Sequence, residues 1–144
     1  MSIEKDIKNN GMPWEDSFGF VQAIKVGNMI HISGQFSHDD NGNIVGAAPI
    51  DNEGNILDHS NMAVQMRQTY LNAKQILSHY GATLDHVVEE VVYVTSIDQV
   101  LAIAGEIRKE MYGTEKPQVC CTLLTTPRLA FPEQLIEIKF VAIV

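Results

Sequence analysis

The sequence predicts one α+β domain whose elements run β-β-α-β-α-β-β. Three observations carry this. An apolar ribbon, FVQAIKVGNMIHISGQ, spans Phe20 to Gln35 and is interrupted by Gly27-Asn28. Two later segments repeat apolar residues at three- and four-residue steps. Between and after them stand β-branched runs of strand character. The chain has 144 residues, 45% hydrophobic and 19% charged, which suffices for one core and matches an ordinary soluble globular protein.

Residues 1–17 are polar and mixed, with Pro13 and the single Trp14. They are expected to form an irregular N-terminal arm, with Trp14 packed, ahead of a domain over 18–144. The ribbon reads as two strands joined by a tight hairpin, because Gly27-Asn28 tolerates the positive φ such a turn needs. Gly34 ends the second strand and lets backbone or ligand approach closely. Two Asp/Asn/Gly clusters follow, at Asp40–Asn43 and Asp51–Asn55. They lack the ligand spacing of a calcium loop and read as plain turns.

Ser60 to Tyr80 is the first helix. Met62, Met66, Tyr70, Ala73, Leu77 and Tyr80 form its inward stripe, Asp58 or Ser60 caps its start, and Gly81 follows its end. Asp85 to Ser96 is a strand. The second helix, Ile97 to Tyr112, turns Val100, Ala104, Ile107 and Met111 inward, and Gly105 within it predicts a close packing contact. Gln118 to Leu124 and Leu135 to Val144 are strands around a loop holding Pro127 and Pro132. Two helices cannot cover both faces of so apolar a sheet, so an oligomer is expected.

Charge and cysteine usage exclude several classes. A net charge of −8 argues against a nucleic-acid partner. No run is long and apolar enough to span a membrane, and the start MSIEKDIKNN lacks an apolar signal core, so a cytoplasmic location is expected. Cys120 and Cys121 are adjacent and make no disulfide scaffold, and no other ligand stands at metal-site spacing.

Several stretches together resemble the Rid family (YjgF/RidA, reactive-intermediate deaminases, also called L-PSP endoribonucleases). These are Phe20 to Asn28 with Ser33-Gly34-Gln35, Asn72 to Leu77, Gly81 to Val88, Val92 to Thr95, Pro117 with Cys121, and Ile136-Glu137-Ile138. The likeness runs from about Phe18 to Val144. It implies a chorismate-mutase-like fold, a homotrimer around a central barrel, and small-molecule clefts between subunits. It also implies hydrolysis of enamines and imines to 2-oxo acids and ammonia, without cofactor or metal.

The chain departs from the family pattern where the chemistry lies. Val119 stands at the position of the carboxylate-binding arginine, Phe20 at that of a tyrosine, and Gly105 at that of an asparagine. An aliphatic group cannot replace a bidentate guanidinium. The resemblance is therefore to an arginine-lacking branch, acting on a substrate other than simple 2-imino acids. Glu137, on an apolar strand, is the candidate acid or base, its alternative being a strand-face glutamate paired with a lysine. Phe20, Gly34, Val119 and Cys121 are candidate cleft residues. Cys121 could be a nucleophile but has no base placed beside it and is read as a buried strand cysteine, and His31, which could shuttle protons, as a core or edge histidine. Arg128, in the loop before the last strand, is the candidate replacement anchor or a solvated arginine. Three functions are carried: an imine or enamine deaminase, a non-catalytic small-ligand-binding trimer, and, disfavoured by charge, a ribonuclease.

Overall fold

The computed structural model describes residues 2–144. Ten elements follow one another: β1 (Asp6–Lys8), α1 (Pro13–Phe18), β2 (Ala23–Val26), β3 (Met29–Gln35), α2 (Met62–Ser78), a 3₁₀ turn (Leu84–His86), β4 (Val87–Val94), α3 (Ile97–Tyr112), β5 (Cys120–Thr125) and β6 (Ile136–Ile143). The strands form one sheet ordered β1-β2-β3-β6-β4-β5. Every pairing is antiparallel except β4 with β5, which α3 connects as a crossover. From β2 onward this is the expected α+β order.

The expected irregular arm over 1–17 is not what residues 2–17 form. β1 pairs with β2, extending the sheet, and Pro13 opens α1. Glu15 folds back so that its carboxylate accepts the backbone N–H groups of Asn10, Gly11 and Met12. These donors would otherwise be orphans at the helix start. Trp14 packs against Phe36, His38 and Phe131 in a small aromatic core.

The β2–β3 hairpin forms at Gly27, whose φ is +59°. α2 starts later than expected and without a side-chain cap, since Asp58 spends its carboxylate on the Ser60 N–H one turn earlier. Asp39 and Asp51 each accept two backbone N–H groups of their own turns, which makes both clusters turn-building units. Gly105 makes no close contact: nothing lies within 4 Å of the place a Cβ would take, because it sits on the exposed side of α3.

α2 packs on β3 and β6, and α3 packs on α2. Between helices and sheet lies the main core, which includes Ile30, Ile32, Met66, Ile107, Ile138 and Phe140. Met66 is 0% and Ile107 1% exposed. Met66→Ala or Ile107→Ala is expected to cost about 2–5 kcal/mol, read by denaturant unfolding at fixed protein concentration. An unchanged midpoint in either would contradict these helix faces. The opposite sheet face carries no helix among the described residues. Met29, Leu124 and Ile143 stand there 38%, 38% and 41% exposed. Among the described residues no helix is long and apolar enough to cross a membrane.

Candidate functional site

Glu137 stands on this helix-free face, between Ile136 and Ile138, which turn the other way into the core. The register of β3 against β6 slips between Ile32 and Gln35, and this bulge brings the Gly34 backbone against the Glu137 side chain. A Cβ at Gly34 would fall on the Glu137 carboxyl, 2.7 Å from Cδ and 2.9 Å from Cγ. Only glycine leaves that space. Gln134 donates from Nε2 to Glu137 Oε1 at 3.1 Å.

The backbone on either side of Gln134 is itself fixed. Gln65, on α2, accepts from the Leu135 N–H at 2.8 Å and donates to the Glu133 carbonyl at 2.9 Å. The chain entering β6 is thereby tied to α2. Tyr93 lies opposite Glu137 on β4. Burial pushes the Glu137 carboxyl above the ordinary carboxylate range, and the Gln134 hydrogen bond pulls back against that rise. A carboxyl so placed holds its proton to higher pH and can both give and take one.

Ser33 and Gln35 tie β3 to the segment that carries Phe20. Ser33 Oγ donates to the Val21 carbonyl at 2.7 Å, and Gln35 Nε2 donates to Gln22 Oε1 at 2.8 Å. Phe20 itself is 37% exposed. His31 is exposed on β3, so it is neither a core nor an edge histidine.

Val119 and Cys121 lie elsewhere. β5 is the last strand of the sheet, four strand spacings or about 19 Å from β2. Val119 and Leu123 pack toward the helix-side core, and Cys121 shares their side by alternation. Within one chain, Gly34 and Glu137 are brought together, while Phe20 is apart from Val119 and Cys121. Cys121 is exposed, not buried, because it stands on the edge strand. Arg128 is exposed beside Gly54 and Pro132, bordering a cleft of about 430 Å³ that Glu137 does not line.

Next to Cys121 is a group that sequence reading missed. Glu90, on β4, is 0% exposed. Its carboxylate accepts from the Tyr70 hydroxyl at 2.8 Å, the Tyr112 hydroxyl at 3.1 Å and Arg108 Nε at 2.5 Å. Arg108 Nη2 reaches the Cys121 sulfur at 3.3 Å. Burial, then the charge of Glu90, pushes both tyrosine hydroxyls up, so they remain protonated donors. Burial works against the Arg108 charge, but Glu90 more than offsets it and holds its pKa above the ordinary arginine value. At Cys121, partial desolvation beside the helix raises the thiol and Arg108 opposes the rise. The signal was present: Glu90 shares the parity of Val92 and Val94, and Tyr70 and Tyr112 lie on inward helix faces.

Fold and carboxyl site together define a class, an α+β protein with a largely buried carboxyl beside a glycine bulge. The family model for endoribonuclease L-PSP matches residues 15–144. A RutC family protein of Pyrococcus horikoshii is 33% identical over 124 residues, which is 85% of this chain and 85% of that protein. The crystal structure of YyfB of Yersinia pestis, described as a protein of unknown function of the conserved Rid family, is 28% identical with a TM-score of 0.65, covering 99% and 100% of the two chains. RidA of an Antarctic Psychrobacter, at 21% identity and a TM-score of 0.76 over 98% and 100%, shares the fold. The chain belongs to the endoribonuclease L-PSP family, the group that carries the Rid and YjgF names.

Proposed function

We propose that this protein hydrolyses enamine or imine intermediates to carbonyl compounds and ammonia, in clefts between the subunits of a homotrimer. The observation that carries the reading is Glu137: a carboxyl whose pKa burial raises, wedged at Gly34 and oriented by Gln134. The neutral acid delivers its proton to the enamine carbon, giving an iminium. The carboxylate then takes one proton from a water as its oxygen adds to the iminium carbon. The resulting carbinolamine collapses to the carbonyl product and ammonia, and Glu137 is again protonated.

The helix-free sheet face supports assembly, since partly exposed Met29, Leu124 and Ile143 would be buried by further copies. Assembly is also what would place the β5 edge of one copy near the Glu137 face of the next. Val119 offers a substrate neither charge nor donor, so the substrate is one whose anchor lies elsewhere. The net charge of −8 weighs against a nuclease.

Ammonia release from a panel of imines and enamines tests the reading. Glu137→Gln is expected to lower turnover by about 10²–10⁴-fold. Because burial raises the Glu137 pKa, the acid form is lost as pH rises through that raised value, so proton delivery falls off on the alkaline side. Glu137→Gln should remove that limb. Equal turnover in wild type and Glu137→Gln would defeat the proposal. Tight ligand binding without turnover would leave a non-catalytic binding trimer.

A further inference from the structure

We propose that Arg108 is an anion-binding residue that anchors a small carboxylate at the α3–β5 edge, and that Glu90 is its positioning residue. Arg108 has a side chain 21% exposed, so it is reached from solvent yet held from behind. Its Nε is committed to Glu90, and its Nη2 meets only the Cys121 sulfur, a weak acceptor. Nη1 has no partner among the described residues. The two Nη groups form the end of the guanidinium fork, which fits both oxygens of a carboxylate. A carboxylate oxygen is a far better acceptor than a thiol and would displace it.

The surroundings leave room. Gly105 lies one helical turn before Arg108, and helical side chains lean toward the preceding turn. Nothing stands within 4 Å of where a Gly105 Cβ would be. Across from it, Cys121 and Val119 share one side of β5, so the guanidinium reaches from the helix the patch where Val119 supplies no charge. Glu90 cannot swing out to meet a ligand, because two tyrosine hydroxyls and full burial hold it. Its role is to fix the plane of the fork before a ligand arrives, which lowers the ordering cost of binding.

The inference rests on the deaminase reading only for the class of ligand, a small 2-imino or 2-oxo acid, and it reverses the expectation that Val119 excludes simple 2-imino acids. The probes are 2-oxobutanoate and its uncharged amide, titrated calorimetrically into the full chain. Wild type is expected to prefer the acid by at least about tenfold, the discrimination a charged fork confers over a neutral contact. Arg108→Met is made together with Glu90→Gln, so that no unpaired buried charge remains. This double variant should bind acid and amide alike. A folded double variant that keeps the acid preference, or a wild type without one, overturns the proposal.

A second measurement needs no variant. 2-Oxobutanoate should shield Arg108 from phenylglyoxal, read by mass spectrometry, while Arg67 and Arg128 stay reactive. Shielding of Arg128 instead, or no acid-dependent change at Arg108, overturns it. Acid preference without ammonia release defeats only the catalytic reading. Ammonia release without acid preference defeats only the anchor.

Discussion

Arg108→Leu is expected to destabilise the protein by about 3–5 kcal/mol, the cost of leaving a buried charge without its partner. Glu90 is fully enclosed, and Arg108 is the only cation on its carboxylate among the described residues. The hydroxyls of Tyr70 and Tyr112 remain as donors, but they carry no charge. Adding Glu90→Gln should recover most of the loss: the amide oxygen still accepts from the tyrosines and the buried charge is gone. The comparison is made by urea unfolding at one protein concentration, because dissociation of an assembly would otherwise shift the midpoint. A loss below about 1 kcal/mol for Arg108→Leu, the range of an exposed ion pair, would mean that Glu90 is not isolated from water.

Gly34→Ala is expected to lower turnover by about 10²-fold while leaving the fold intact. The added methyl takes the volume of the Glu137 carboxyl, whose Cδ and Cγ lie 2.7 and 2.9 Å away. The backbone of β3 is fixed in the sheet, so the glutamate side chain must swing aside, off the Gln134 amide. Displacement of a reacting group by about 1 Å can cost on the order of 10²-fold in rate. Burial is what lifts the Glu137 pKa. A displaced, more solvated carboxyl should therefore titrate lower, and the alkaline fall-off of any residual activity should move to lower pH. Full turnover in Gly34→Ala, with an unmoved pH profile, would show that the carboxyl does its work from another position.

Much of the architecture was legible in the sequence. α3 runs over the expected residues because Val100, Ala104, Ile107 and Met111 mark one stripe and Ser96 and Gly113 bound it. β6 follows from alternation: Ile136, Ile138 and Phe140 on one side, Glu137 and Lys139 on the other. β1 and α1 were not legible. A three-residue strand with one apolar residue has no period to read, and it exists because the edge of β2 offers partners. α1 depends on Glu15 bonding backward to three N–H groups, which apolar patterning cannot register.

The candidate site divides the same way. Gly34 and Glu137 were singled out, but their contact depends on the slip between Ile32 and Gln35, which no one-strand pattern encodes. Glu90 lay in the inward phase of its strand, yet an acid among valines has no meaning until Tyr70, Tyr112 and Arg108 arrive from two helices. Arg128 drew notice through its place in a loop, whereas the arginine with a half-committed fork is Arg108 on a helix.

The sheet acts as a partition. Glu137 and Gly34 stand on one side of it, and Glu90, Arg108 and Cys121 on the other, and the two sets share no hydrogen-bond partner among the described residues. Substitutions at sites that share no partners act nearly additively. On the proposed function, one anchoring group can therefore be exchanged for another without disturbing the Glu137 carboxyl. Two relatives can in this way keep one reaction and diverge in what they accept, by changes confined to one helix face and one edge strand.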